Sequence, residues 1–275
     1  MRRAMCVLFV IVAGAPFAAP HASATGMWTP VQGLHWQYQL QGKVATNLCA
    51  VPVSGGRCVR PDVYDIDMYA PNGVTINTAG VAKIHAVGAR AVCYVDAGSW
   101  ENFRPDANAF PAAIKGRSNG WPGEKWLDIR ATDTLLPIID ARVAKCATAG
   151  FDAVEFDNVD GYTNVTGFPL TASDQLAFDI ALADIAHSHG MSVGLKNDLD
   201  QLAALQDTFD FAINEQCAQY AECNVYDGWT SAGKAVVEVE YKGIARNYCA
   251  DAATQRRDAI HKTLALVATP WKPCR

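Results

Sequence analysis

Eight short, largely apolar segments recur along this chain, and most of them precede a longer segment of helical character. These predicted strands lie near His35–Leu40, Val63–Met68, Ala91–Asp96, Ala153–Asp157, Ser192–Lys196, Phe209–Glu215, Ala235–Glu240 and Leu264–Val267. Strands that alternate with helices favour right-handed βαβ units and a parallel sheet. Eight such units in roughly 250 residues fit the size of a (β/α)8 barrel. We therefore predict an α/β fold with a single TIM barrel.

Signals for helix ends support the same division. The predicted helices lie near Val81–Val87, Leu136–Ala149, Asp174–Ser188 and Leu199–Leu205. Gly88, Gly150 and Gly190 follow three of them, where a helix C-cap prefers glycine. Ser173 and Asp174 offer an N-cap for the longest helix. No linker rich in proline, glycine or serine divides the chain, so we predict one domain.

The segment Trp100–Arg130 does not fit a bare barrel unit. It carries Trp100, Phe103, Trp121 and Trp126 among several prolines and glycines. We interpret it as a long aromatic-rich loop inserted after the third strand, where loops of a barrel shape the substrate cleft. Trp100 and Trp121 are candidates for stacking on sugar rings.

The N-terminus has the layout of a secretory signal peptide. Arg2 and Arg3 precede an apolar run over Met5–Ala19, and Ala22–Ala24 supplies small residues for cleavage. The run is shorter than the roughly 20 apolar residues that a membrane-spanning helix needs. We expect a signal peptide at residues 1–24, a barrel domain at 25–275, secretion, and no membrane attachment after cleavage.

Cysteine usage agrees with export. Apart from Cys6 in the predicted signal, the chain has eight cysteines, an even number that favours disulfides in an oxidising environment. The spacing makes Cys49–Cys58 and Cys217–Cys223 candidate pairs, and Cys93 on the outer face of the third strand could reach Cys146 on the following helix. Cys249–Cys274 is the fourth candidate pair. A zinc site is the rival interpretation, but no C-x2-C pair is present.

Charge and motifs exclude several classes of function. The chain has 23 basic and 28 acidic residues, and without Arg2 and Arg3 its net charge moves from −5 to −7. Nucleic acid is not an expected partner, because phosphate binding needs basic patches. No G-x-S-x-G, H-E-x-x-H or P-loop motif occurs. We expect no cofactor and no metal.

The predicted strands end in acidic residues, which strands buried on both faces would not need. These are Asp65, Asp67, Asp96, Glu155, Asp157, Glu215, Glu238 and Glu240. The C-terminal ends of barrel strands meet at one mouth. Carboxylates from different strands should therefore gather in a single cleft.

Several motifs together resemble glycoside hydrolase family GH114, which is typified by endo-α-1,4-polygalactosaminidase. They are WQYQLQG (Trp36–Gly42), VYDID (Val63–Asp67), GEKWLDI (Gly123–Ile129), GFDAVEFDNVDGY (Gly150–Tyr162), VGLKND (Val193–Asp198), FDFAINEQC (Phe209–Cys217) and VEVEY (Val237–Tyr241). One departure is Phe156, where the family's EPDN has proline. The resemblance implies a secreted enzyme that cuts inside α-1,4-linked galactosamine-rich polysaccharide.

Glycoside hydrolysis needs one carboxylic acid to protonate the leaving oxygen and one carboxylate to act as nucleophile or base. By the family's motifs, Asp157 is the expected nucleophile and Glu215 the general acid/base. Asp160 competes with Asp157, although we expect it to order its loop or bind sugar hydroxyls. Lys196, on the strand between them, should hold Asp157 ionised. We favour a retaining mechanism.

The remaining residues at the mouth are interpreted as substrate-binding. Gln37 and Gln39 share one face of the first strand and could bind sugar hydroxyls, which places Trp36 and Tyr38 beneath the helices. The other candidates for substrate binding are Asp65, Asp67, Tyr94, Asp96, Asp160, Tyr162, Lys196, Glu238 and Glu240. The strand-end acids could bind the ammonium groups of an amino sugar by charge-assisted hydrogen bonds.

Three functions are consistent with the sequence. The first is an endo-glycosidase of the GH114 type that binds a cationic amino-sugar polymer and acts as a monomer. The second is a barrel hydrolase for another α-linked polysaccharide, and the third is a barrel that binds polysaccharide without cutting it. A pure binding protein does not need both Asp157 and Glu215, so we favour catalysis.

Overall fold

The computed structural model of the chain describes residues 26–242 and 245–275. The predicted signal peptide at residues 1–24 lies outside the described residues. Within the described part of the chain, no helix combines the length and hydropathy needed to cross a bilayer.

The fold is a nearly closed barrel built on a parallel sheet. Its strands in chain order are β1 (Trp36–Gln39), β2 (Val63–Asp67), β3 (Arg90–Asp96), β4 (Ser99–Glu101), β5 (Glu124–Trp126), β6 (Ala153–Asp157), β7 (Ser192–Lys196), β8 (Phe211–Glu215), β9 (Val236–Glu240), β10 (Asp258–His261) and β11 (Lys272–Pro273). The sheet order is β1-β2-β3-β6-β7-β8-β9-β10-β11, in which the first eight strands are parallel and β11 is antiparallel to β10. The predicted TIM-like barrel is confirmed.

Residues after β10 connect the two ends of the sheet. The indole nitrogen of Trp271 donates a hydrogen bond to the carbonyl oxygen of Trp36 (2.7 Å), and the backbone nitrogen of Gln41 donates to Leu266 (3.1 Å). Among the described residues, the C-terminal segment therefore bridges the gap between β10 and β1 by hydrogen bonds, without strand pairing.

Helices cover the outside of the sheet. They are α1 (Thr78–Ala86), α2 (Thr132–Ala149), α3 (Ala172–Ser188), α4 (Leu202–Leu205), α5 (Cys217–Tyr220), α6 (Asp227–Ser231) and α7 (Ala245–Thr254). Gly150 ends α2 in the left-handed conformation, as predicted. The predicted N-cap of α3 is wrong: Thr171 caps this helix in a capping box with Asp174.

One predicted strand is also wrong. Leu264–Val267 forms a turn and bends, and the eighth parallel strand is β10 at Asp258–His261. The apolar LALV run resembles a strand more than the DAIH sequence does. Contacts between residues far apart in the sequence hold β10 in the sheet. The buried ammonium of Lys262, just after β10, donates to the side-chain oxygen of Gln37 in β1 (2.7 Å).

The chain after β3 folds into more than a loop. β4 and β5 pair antiparallel as a separate two-stranded sheet, with Ser99 opposite Trp126. Two short 3-10 turns, at Ala107–Ala109 and Ala112–Ile114, lie between the two strands. This segment places the side chains of β5 beside the barrel mouth.

The four predicted disulfide pairs are confirmed: Cys49–Cys58, Cys93–Cys146, Cys217–Cys223 and Cys249–Cys274. The pair from Cys93 to Cys146 joins β3 to α2 through the outer layer of the core. The six-residue separation between Cys217 and Cys223 constrains the turn that follows β8.

Candidate active site

Asp157, Lys196 and Glu215 end three neighbouring strands and meet at the barrel mouth. The Lys196 ammonium donates to Asp157 Oδ1 (3.0 Å) and to Glu215 Oε2 (2.8 Å). Tyr94 donates from its hydroxyl to Asp157 Oδ2 (2.6 Å), and Tyr241 donates to Glu215 Oε1. The two carboxylates thus share one cation, and each also accepts a hydrogen bond from its own tyrosine.

The backbone turns sharply after each of these strand ends. Asn158, Asn197 and Gln216 have φ values of 60°, 52° and 73°, in the left-handed region that costs most residues free energy. Asn197 also accepts a hydrogen bond through its side-chain oxygen from the backbone nitrogen of Glu215 (3.1 Å). These turns stop the strands at the residues that carry the charged groups.

A close backbone approach fixes the position of Asp157. The backbone nitrogens of Ala97 and Gly98 both donate to the carbonyl oxygen of Asp157 at 3.1 Å. A Cβ atom at Gly98 would lie 1.7 Å from the carbonyl oxygen of Asn158. Only glycine fits there, and the turn after β3 therefore packs directly on the turn after β6.

The electrostatic environment favours an ionised Asp157. Burial alone would raise its pKa, but the Lys196 ammonium and the hydrogen bonds from Tyr94 and the Asn158 backbone lower the pKa overall. Burial opposes the charge on Lys196, yet the carboxylates of Asp157, Glu215 and Glu155 hold the pKa of the ammonium well above its usual value. The expectation that Lys196 lies between the two acids and keeps Asp157 charged agrees with this geometry.

A second layer of acids lies beneath the charged residues. Asp65 and Glu155 are both fully buried, and Tyr38 donates to Glu155 Oε1 (3.0 Å). Burial raises the pKa of Asp65 well above its usual value and the pKa of Glu155 to about 7. Asp65 is thus part of the barrel interior and does not line the mouth, which corrects its predicted role in substrate binding.

These buried acids make folding dependent on pH. Burial raises the pKa of Glu155 and also that of Asp198 to about 7, whereas carboxyls in an unfolded chain titrate near about 4. The folded state therefore binds more protons than the unfolded state between these values, so stability falls as pH rises through that window.

We expect the melting temperature to fall by a few degrees between about pH 5 and pH 7. Differential scanning calorimetry measures it directly. The Glu155→Gln variant should show a smaller decrease, since glutamine does not ionise. A melting temperature that rises over this interval would contradict the assignment of these protons.

Three connected cavities form a cleft across the strand ends. A central cavity of about 210 Å³ is bounded by Asp157, Lys196, Glu215 and Trp121. On one side lies a cavity of about 170 Å³, whose lining includes Tyr38, Asp67, Tyr94, Phe103 and Glu124. On the other side lies a cavity of about 550 Å³, whose lining includes Asp160, Tyr162, Asn197 and Asp198. The central cavity shares lining residues with each of the other two, so the cleft continues past the charged residues on both sides.

Two of the predicted ligand-binding acids line or adjoin this cleft but have protein partners. Both oxygens of Asp67 accept hydrogen bonds from the Arg104 guanidinium at 2.8 Å. Asp96 is 2% exposed and accepts hydrogen bonds from Ser99 and from the Asn158 side chain. Their charges organise the loops after β2 and β3, so the expectation that Asp96 contacts substrate is wrong.

Four further predictions fail because of the face on which the side chain lies. Glu238 and Glu240 point out of the barrel, where Glu238 pairs with Arg257 (2.9 Å) and Glu240 accepts from the backbone nitrogen of Ala218 (2.7 Å). The side-chain amide of Gln37 donates to the carbonyl oxygen of Ala268, and that of Gln39 donates to the backbone carbonyl oxygens of Gln41 and Lys43. None of the four extends into the central cavity.

The faces of β1 are the reverse of the predicted arrangement. Trp36 and Tyr38 pack inside the barrel with Val63 and Phe211, and the rings of Trp36 and Phe211 are 5.5 Å apart. Tyr38 reaches the mouth and lines the cavity beside the two acids. The aromatic face of this strand, rather than its glutamine face, contributes to the site.

Among the aromatic candidates, Trp121 and Tyr162 line the cleft and Trp100 does not. Trp121 is 55% exposed at the wall shared by two of the cavities. Trp100 donates through its indole nitrogen to the carbonyl oxygen of Ala107, and the Lys115 ammonium covers its ring. Trp100 is thus part of the packing of its own segment.

One group of metal-binding side-chain types occurs among the described residues: Cys217, Cys223, Glu238 and Glu240. The two sulfur atoms are joined in a disulfide, and Glu238 is paired with Arg257. This group therefore fits a structural role behind β8 and β9.

Residues without a role in the sequence analysis complete the site. Tyr241 and Glu124 lie within the quoted motifs VEVEY and GEKWLDI, so their positions could have been flagged. Arg104 lies outside every motif, and its contact with Asp67 depends on a long segment folding back over the mouth. No sequence signal indicated that contact.

Comparison with known proteins places this site in a family. The model of the glycoside-hydrolase family GH114 matches residues 18–274. The chain is 32% identical to Aspergillus fumigatus Ega3, whose crystal structure contains galactosamine; the match covers 89% of this chain and 96% of that chain, with a TM-score of 0.77.

The glycoside hydrolase domain of PelA from Pseudomonas aeruginosa shares the fold, at 15% identity over 84% of this chain and 94% of that chain, with a TM-score of 0.60. No curated protein sequence matches the chain. The family match over nearly the whole described barrel agrees with the paired acids at its mouth, and the chain belongs to glycoside hydrolase family GH114.

Proposed function

We propose that this glycoside hydrolase cuts within α-1,4-linked galactosamine-rich polysaccharide, with Asp157 as nucleophile and Glu215 as general acid/base. The observation that carries the proposal is the single ammonium of Lys196 between the two carboxylates. It holds both acids at one point of a cleft that is open on either side, as cleavage within a polymer requires. The galactosamine in the related Ega3 structure supports the choice of sugar.

The proposed reaction uses the two acids in turn. Glu215 protonates the glycosidic oxygen while Asp157 Oδ attacks the anomeric carbon, which breaks the bond to the leaving sugar and forms a glycosyl ester. Glu215 then removes a proton from water, which attacks the same carbon and releases Asp157. The tyrosine partners Tyr94 and Tyr241 hold the two carboxylates in place during both steps.

Lys196 assists the change in the role of Glu215. Before attack, the ammonium is shared between the two carboxyl groups. Once Asp157 has become an ester, the ammonium faces Glu215 without a competing anion. The ammonium then contacts Glu215 alone while this residue accepts a proton from water.

The spacing favours a retaining mechanism. Two oxygens at 3.0 and 2.8 Å from one nitrogen are at most the sum of these distances apart, 5.8 Å. Retaining enzymes have carboxyl groups roughly 5–5.5 Å apart, against about 6.5–9.5 Å for inverting enzymes. NMR of the first-formed product should therefore show the α-anomer, and a β-anomer would contradict the nucleophilic role of Asp157.

We also propose that the protein is exported after removal of residues 1–24 and acts as one domain over 25–275. The four disulfides support this, because such bonds persist in oxidising compartments.

The substrate is tested by incubating the protein with partly deacetylated galactosaminogalactan and, as a control, chitosan. We expect short galactosamine oligomers from the first polymer and no products from the second. The rate should fall as salt is added, because screening weakens attraction between an acidic cleft and a cationic polymer. Release of oligomers from a different α-linked polymer alone would overturn the choice of substrate.

A further inference from the structure

The side of the cleft nearest β5 combines aromatic surface with acidic groups. Trp121 and Phe103 are 55% and 51% exposed and line the cavity of about 170 Å³ that opens beside Asp157 and Glu215. Exposed aromatic rings in a cleft suit the flat faces of sugars. A sugar unit next to the one being cleaved would lie in this cavity.

The acids that line this cavity differ in their partners. Asp67 and Glu101 share the Arg104 guanidinium, with contacts of 2.8 and 2.7 Å. Glu124 accepts a hydrogen bond from the side-chain amide of Asn119 (2.7 Å). Within the described part of the chain, it forms no ion pair with a lysine, arginine or histidine.

The position of Glu124 is held by its surroundings. β5 pairs with β4, which places Glu124 opposite Glu101. Asn119 in turn donates to Ser99 (3.3 Å), so the amide that holds Glu124 is fixed itself. Burial raises the pKa of the Glu124 carboxyl, and the charge on Asp157 adds to this although Asn119 opposes it. A cation bound in the cavity would stabilise the ionised Glu124 carboxylate against burial and against repulsion from Asp157.

We propose that Glu124 determines substrate specificity by binding the ammonium group of a galactosamine unit next to the scissile bond. This inference rests on the proposed function and identifies the Glu124 carboxylate as the group that recognises the 2-amino substituent. An ammonium donates charge-assisted hydrogen bonds to a carboxylate. An N-acetyl group is neutral and larger, so it would leave Glu124 without a counter-charge in a narrow cavity.

The test compares Glu124→Gln with wild type on two α-1,4-linked oligomers, one fully deacetylated and one N-acetylated at the units flanking the cleavage point. Glutamine keeps the size and the hydrogen bond with Asn119 but lacks the charge. We expect KM for the deacetylated oligomer to rise roughly ten-fold, with kcat changed far less. Cleavage of the acetylated oligomer should stay equal or improve.

Asp184→Asn is the matched control, because Asp184 is exposed on α3, lines none of the three cavities of the cleft, and its substitution removes the same single negative charge. Its KM should equal that of wild type. Equal KM values for Glu124→Gln and wild type, or a loss that is the same for both oligomers, would overturn the inference. If wild type cleaves neither oligomer, the proposed function itself fails, which is a distinguishable result.

Discussion

Asp157→Asn and Glu215→Gln are each expected to lower kcat/KM on the polymer by at least about a thousand-fold while the protein remains folded. Each change removes a proton-transfer or nucleophilic group and keeps the shape of the side chain. In each variant the amide oxygen can still accept from the Lys196 ammonium, and the amide NH2 can donate to the hydroxyl of Tyr94 or Tyr241, which faced the other carboxylate oxygen. Circular dichroism and melting curves verify folding before the rates are compared.

A substrate with an activated leaving group separates the two roles. An aryl glycoside of a galactosamine oligomer needs little protonation, because its phenolate leaves readily. Glu215→Gln should therefore retain the first step on this substrate and release a burst of phenol, whereas Asp157→Asn should not. The reverse pattern would exchange the two assignments.

Asp160→Asn serves as the comparison for this pair. Asp160 lies in the same turn, lines the central cavity, and has its pKa raised by burial. We expect it to affect KM more than kcat, in keeping with a role in the loop or in binding hydroxyls. A loss of kcat as large as that of Asp157→Asn would make Asp160 the nucleophile instead.

Lys196→Met is expected to have the second-largest effect, a fall in kcat of about a hundred-fold or more together with a shift of the acidic limb of the pH profile to higher pH. Lys196 is 3% exposed and contacts both acids. Without the ammonium, two carboxylates share a small space with no counter-charge, and a proton is retained at a pH where Asp157 must be ionised.

The same variant should lose stability at neutral pH by about 3 kcal/mol, because it leaves two partly buried carboxylates without a counter-charge. The loss should diminish as pH falls and these groups become protonated. Denaturant unfolding at about pH 5 and pH 7 measures this, with Lys83→Met on the exposed face of α1 as control. A variant with the wild-type pH profile would show that Lys196 does not set the charge on Asp157.

Most of the barrel could be predicted from the sequence because its strands are short apolar runs of the type that parallel sheets require. Seven strands fall where the runs predict them. The eighth does not, since Asp258–His261 has little apolar pattern and is held by contacts with the C-terminal segment. Contacts between the first and last parts of a barrel join residues far apart in the sequence, so they produce no local sequence pattern.

The sequence motifs identified the central residues Asp157, Lys196 and Glu215, but they did not predict which side chains surround them. In β1 and β9, side chains alternate between the two faces of the strand, but the sequence does not indicate which face is turned into the barrel. For β9, the prediction placed the glutamates on the inner face, which is wrong. In the structure, Val237 and Val239 pack inside the barrel, which turns Glu238 and Glu240 outward. An acid at a strand end can therefore be an outer-layer ion pair as readily as a ligand-binding group.

The most direct test of the account is a crystal structure of the Glu215→Gln variant with an α-1,4-linked galactosamine oligomer. We expect the glycosidic oxygen to lie within hydrogen-bonding distance of residue 215, and the anomeric carbon to face Asp157 from the opposite side. An oligomer bound with its scissile bond remote from either residue, or with Asp160 in the position assigned to Asp157, would contradict it.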